Sequence, residues 1–60
     1  MNLVQAAEKQ ALERVRFNLT DCIDNIGMLI QRDGPDASLV RARGLLIDVR
    51  DRVIRFIDEQ

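Results

Sequence analysis

The sequence predicts an all-α protein: an antiparallel two-helix hairpin that pairs with a second copy as a four-helix bundle. Three observations predict it. Apolar residues recur at alternating spacings of three and four through both halves of the chain. The strongest helix-breaking residues gather in one place, Asp33-Gly34-Pro35-Asp36. The apolar arc on each half is also wider than one neighbouring helix can cover.

The first helix is expected from about Asn2 to Arg32, where Leu12, Val15, Leu19, Cys22, Ile26 and Leu29 keep the a/d spacing of a coiled coil. It should stop at Gly34, which can take the left-handed conformation that closes a helix. The turn covers residues 33–36. Pro35 has no N–H to donate and disfavours helix at the residue before it. Asp36 or Asp33 can accept from the free amides of the next helix. The second helix is expected over about residues 35–58, with Leu39, Ala42, Leu46, Val49, Val53 and Phe56 as its a/d row. Residues 1–60 thus form one helical-hairpin domain.

Folding about Gly34 sets Leu29 beside Leu39, Ile26 beside Ala42, Cys22 beside Leu46, Leu19 beside Val49, Val15 beside Val53 and Leu12 beside Phe56. Apolar residues meet at every level. In this register the a/d rows form the seam, and Cys22 is a buried, inert thiol. The first helix overhangs the second at its start, leaving Leu3, Val4, Ala6 and Ala7 without a neighbour. A second apolar stripe, Val40, Ile47, Ile54 and Ile57, is left over on helix 2, with Ile23 and Ile30 on helix 1. Fully burying an isoleucine is worth about 1.5–3 kcal/mol, so the stripe calls for another chain. Leu3, Val4, Val40, Arg43, Ile47, Arg50, Ile54 and Ile57 are the expected oligomer interface, with Arg43 and Arg50 at its rim.

Composition narrows the function. The chain has 60 residues, with hydrophobic residues at 47% and charged residues at 32%, and a formal net charge of −1. Disulfides, a metal or a partner chain usually support so small a domain. It has one cysteine and no histidine, which removes an internal disulfide and makes a zinc cluster implausible. No catalytic, cofactor-binding or metal-binding residue is assigned. Asp21 with Asp24, and Asp48 with Asp51, read as solvated carboxylates, because no pocket encloses them. The longest apolar runs, Met28-Leu29-Ile30 and Leu45-Leu46-Ile47, are far short of the roughly 20 residues of a membrane span. The N-terminus lacks the basic and apolar regions of a signal peptide, so the expected compartment is the cytoplasm.

Two surfaces are candidates for recognition. On the outer face of helix 1, Phe17 and Met28 project in nearly the same direction with Arg14, Asp21 and Asp24 around them. An aromatic and a methionine set among charges make a small anchor patch for a protein partner. The leading expectation is therefore a non-enzymatic protein-binding module, a regulator, adaptor or inhibitor of a larger protein. The alternative is RNA or DNA binding through Arg41, Arg43, Arg50, Arg52 and Arg55 of helix 2. Arginine suits bidentate phosphate contacts. Residues 35–60, however, carry five acids against these five bases, so helix 2 lacks the positive field that polyanions demand. A structural assembly subunit is a third reading. In plan alone, two helices of this length and a short turn resemble the Rop-type plasmid RNA-binding hairpins, which dimerise into four-helix bundles. The patch Arg14-Phe17-Asp21-Asp24-Met28 carries two acids where an RNA face would carry bases.

Overall fold

The computed structural model describes residues 3–59. Leu3–Asp33 form α1 and Ala37–Asp58 form α2, of 31 and 22 residues. The two lie side by side as a rod of 47 × 15 × 12 Å. There is no strand among the described residues. The two-helix hairpin read from the sequence is what the chain forms. The expected start at Asn2 lies outside the described residues.

The turn is built by three residues in succession. Gly34 has φ +91°, and its N–H still donates to the Ile30 carbonyl at 2.9 Å. Only glycine takes that φ without a Cβ penalty, and it satisfies one of the last carbonyls of α1. Pro35 follows. Asp36 is then extended (φ −107°, ψ 127°) as the N-cap of α2. The Leu39 N–H donates to its Oδ1 at 3.1 Å, and the Val40 N–H to its carbonyl at 2.9 Å. Helix 2 therefore starts at Ala37, not at residue 35, because an N-cap holds non-helical backbone. Asp33 does not cap. Its carboxylate takes two bonds from the Arg32 guanidinium, at 3.0 and 3.2 Å.

The seam differs from the expected one. Ile23 and Ile57 are the buried hydrophobic residues, at 2% and 7% exposure. They fall in the rows Arg16, Ile23, Ile30 and Arg43, Arg50, Ile57, all buried or half-buried. The expected seam residues Val15, Cys22, Leu29, Val49 and Phe56 are exposed, Phe56 at 56%. Leu12, Leu19, Ile26, Leu39, Ala42, Leu46 and Val53 are half-buried beside the seam. Each helix is turned by nearly one residue step from its expected phase. The reason lies in the spacing: adjacent heptad rows repeat with the same period, so periodicity alone cannot say which row faces the neighbour. Ile57 is accordingly corrected from a free interface residue to a core residue of the hairpin. Cys22 is corrected from a buried thiol to an exposed one.

The overhang is present as expected, with Leu3 89% exposed and Val4 exposed. Asp48 and Asp51 form no ion pair with Arg52 and Arg55, which stand four residues on along the same helix. Among the described residues the ion pairs are Glu13–Arg16 at 3.6 Å and Arg32–Asp33 at 3.0 Å. Exposed pairs gain little against the side-chain freedom they cost.

Two glycines should respond in opposite directions. A Cβ on Gly44 meets nothing within 4 Å, so Gly44→Ala should stabilise by about 1 kcal/mol and raise Tm by about 4–8 °C. Gly34→Ala should lower Tm, since a left-handed non-glycine residue costs about 1–2 kcal/mol. Thermal unfolding followed by circular dichroism checks both; equal signs would contradict the turn geometry.

Candidate protein-binding surfaces

The hairpin has two unlike sides. Stepping back one residue from each seam row gives Val15, Cys22 and Leu29 on α1, and Ala42, Val49 and Phe56 on α2. Because the helices are antiparallel, the same step on both leads to the same side. All six are exposed except half-buried Ala42. The half-buried rows Leu12, Leu19, Ile26 and Leu39, Leu46, Val53 form the floor between them. Not one of these twelve residues carries a charge. Leu45, also exposed, extends the face on its α2 edge.

Stepping forward one residue reaches the other side: Phe17, Asp24 and Gln31 on α1, and Gly44, Asp51 and Asp58 on α2, all exposed. This side is mixed and charged. The expected interface residues Val40, Ile47 and Ile54 lie towards it. Val40 is half exposed, and Ile47 and Ile54 are half-buried. Their stripe is thus partly covered within the hairpin and is bordered by acids. The uninterrupted apolar surface is on the opposite side.

Arg43 and Arg50 occupy the seam itself, inside the hairpin and not at the rim of an exposed stripe. Their Nε atoms are buried without a hydrogen-bond partner. A Cβ added to Gly27 would stand 3.4 Å from Arg43 Nε, so the missing side chain makes room for the arginine. That accounts for a glycine in mid-helix, where it costs about 1 kcal/mol relative to alanine. Arginine stems of this kind cover apolar surface while the guanidinium reaches outward. Thr20 is also half-buried near the seam, its hydroxyl donating to the Arg16 carbonyl at 3.0 Å.

The expected patch is brought together as one exposed face of α1. Arg14, Phe17, Asp21, Asp24 and Met28 are all exposed, Met28 at 64%. The Arg16 guanidinium lies 5.0 Å from the Phe17 ring centroid, a cation–π contact that Phe17 and its neighbour form locally. A shallow depression beside Met28 is lined by Asn25, Leu29, Gln31 and Arg32. Of the five arginines of helix 2, only Arg41, Arg52 and Arg55 are exposed, and they share the outer face of α2 with Asp48. Among the described residues there is no group of three His, Cys, Asp or Glu that could hold a metal. No described helix is long and apolar enough to cross a membrane.

The seam arginines generate a stability prediction. Methionine keeps an unbranched stem of similar reach and has no donor to strand. An unsatisfied buried donor costs about 1–3 kcal/mol, so Arg43→Met with Arg50→Met should raise the urea midpoint, by about 1 kcal/mol or more in unfolding free energy. A lowered midpoint would show that both guanidinium groups are satisfied in solution.

Compared with protein-family models, curated proteins and solved structures, the chain finds no match.

Proposed function

We propose that this chain is a non-enzymatic protein-binding module that works as a homodimer of hairpins, a four-helix bundle, and regulates, adapts or inhibits a larger protein by occupying its surface. The observation that carries this reading is the division of the hairpin into an uncharged apolar side and a charged side bearing Phe17. A second copy on the apolar side covers Val15, Leu29, Val49 and Phe56 and leaves Phe17 and Met28 outward. The dimer then presents two equivalent anchor patches. The patch suits a protein surface with an apolar pocket for Phe17 or Met28 and basic groups opposite Asp21 and Asp24.

Nucleic acid is the weaker reading, because Arg43 and Arg50 have their Nε atoms buried in the seam. The remaining exposed arginines are interleaved with acids, and affinity for a polyanion scales with net phosphate neutralisation.

Two measurements test the proposal. Val49 is 46% exposed in the hairpin, so Val49→Glu leaves the seam intact while placing a charge on the apolar face. Sedimentation should give twice 6.9 kDa for the parent chain at micromolar concentration and 6.9 kDa for the variant. A parent chain that sediments as a stable monomer would end the dimer reading. Separately, Phe17→Ala with Met28→Ala should leave the dimer's stability within about 0.5 kcal/mol, as for most surface changes. The same pair should abolish retention of the partner captured from the source cell by the parent dimer, as read by mass spectrometry. Undiminished capture would remove the patch from the binding surface.

A further inference from the structure

We infer that the two hairpins dock with their turns at opposite ends, about a two-fold axis that crosses the apolar face at the level of Cys22 and Val49, so that each of these residues meets its own counterpart. This rests on the homodimer reading above and specifies its surface and geometry.

The area supports a second copy as the occupant. The hairpin exposes 4811 Å². A folded monomer of this mass, 6.9 kDa, exposes about 4,000 Å². The excess, about 800 Å², is what one partner contributes to a standard-size interface. The radius of gyration tells the same story: it is 14.3 Å, against about 10 Å for a compact domain of this length. The occupant must be uncharged over the same length, and the face itself meets that description.

The register supplies the axis. Asp33 ends α1 and Ala37 begins α2 on either side of the turn. Counting back from the one and forward from the other puts Cys22 level with Val49 to within about one residue rise of 1.5 Å. These are the middle members of the rows Val15, Cys22, Leu29 and Ala42, Val49, Phe56. Both rows are therefore centred at one height, the condition for a two-fold axis across the hairpin.

Two arrangements bring the faces together. An axis along the hairpin lays α1 on the partner's α2, with both turns at one end. Both Val15 and both Phe56 side chains then crowd one end, while the other end holds two leucines and two alanines. The helices would have to splay at the first end or leave voids at the second. An axis across the hairpin lays α1 on the partner's α1 and α2 on the partner's α2. Val15 then faces the partner's Leu29, and Phe56, the largest residue of the face, faces the partner's Ala42, the smallest. Both ends are filled alike, and even filling is what close-packed interiors at a constant helix separation demand. At the axis two identical side chains meet, which favours short ones, and Cys22 and Val49 are short.

The geometry makes a covalent probe of the existing thiol. At the wider end of the usual helix separations, facing Cα atoms lie about 5 Å apart, within disulfide reach. The oxidant is diamide: two Cys22 thiols lose two protons and two electrons to its N=N bond, and one S–S bond forms. The parent chain should become a disulfide-linked dimer, and so should Cys22→Ser with Val49→Cys. Both should link at least about ten-fold faster than Cys22→Ser with Asp48→Cys, whose thiol lies on the outer face and links only by collision. Linkage at the collision rate for both proteins, with rapid linkage only when the two are mixed, would establish the other arrangement and overturn this one. Sedimentation of the same reduced samples separates the failures. A dimer that does not link overturns the docking and leaves the homodimer standing, whereas a monomer removes both.

Discussion

Among the described residues, Ile23 and Ile57 are the side chains that the seam takes nearly out of water, and the rest of the structure depends on how little that is. Two helices in contact share one line. Each can commit only the residues along that line, and here the line includes Arg16, Arg43 and Arg50 as well as isoleucines. Backbone ordering costs free energy at every residue, whether or not its side chain finds a neighbour. A rod of two helices orders its whole length and buries apolar surface along one edge of each. The apolar rows beside the seam are therefore the main reservoir of stabilisation still open to the chain.

The placement of arginine in the seam has a physical logic. Arg43 lies over Gly27, and its stem fills the space a longer residue on α1 would have taken. Its charge escapes towards the side that holds Asp24, Asp51 and Asp58. The seam is thus asymmetric: its floor on one side is Leu12, Leu19, Ile26, Leu39, Leu46 and Val53, and on the other Glu13, Thr20 and Gly27 face Ile47 and Ile54. Polar and small residues on α1 limit how much apolar surface that second side can offer, while the first side has no such limit. The direction in which the hairpin can grow is set by this inequality, not by the total apolar content.

The turn was legible in the sequence, because Gly34 and Pro35 each have one conformational role that suits that position, while the cap stayed open between Asp33 and Asp36. Helix ends shifted by a residue or two for the same reason, as Asp36 took the cap and pushed the start of α2 to Ala37. The phase of the seam was not legible. Leu12–Leu29 and Arg16–Ile30 repeat with one period, and a count of apolar residues favours the first row over one that contains arginines. The observed phase sets the Arg43 side chain against Gly27 across the seam, a long-range fit with no local signature. The same misphasing hid the exposure of Cys22 and the burial of Ile57. The Arg14, Phe17, Asp21, Asp24 and Met28 face was readable, because residues 11 apart align on any straight helix and that face is far from the seam in either phase.

One residue ties the two sides together. Arg16 is half-buried in the seam row of α1, its guanidinium is 3.6 Å from Glu13, and the same group lies 5.0 Å from the Phe17 ring. The side chain that lies over the proposed anchor is thus itself half-buried. An exposed cation–π contact is worth about 0.5–1 kcal/mol, too little to fix Phe17 unaided. It adds to the ordering that half-burial and the Glu13 pair already impose on Arg16. In the proposed dimer, a second copy on the apolar side would stabilise the hairpin, and with it the fold that carries Phe17 on the other side. A partner that binds Phe17 meets a side chain whose freedom is already reduced, and reduced freedom before binding is affinity gained without new contacts. By linkage, a partner that binds only the folded hairpin would also favour the proposed dimer, if that is where the hairpin is most stable. Under that proposal assembly and recognition would be one equilibrium, although they use different faces of the same helix.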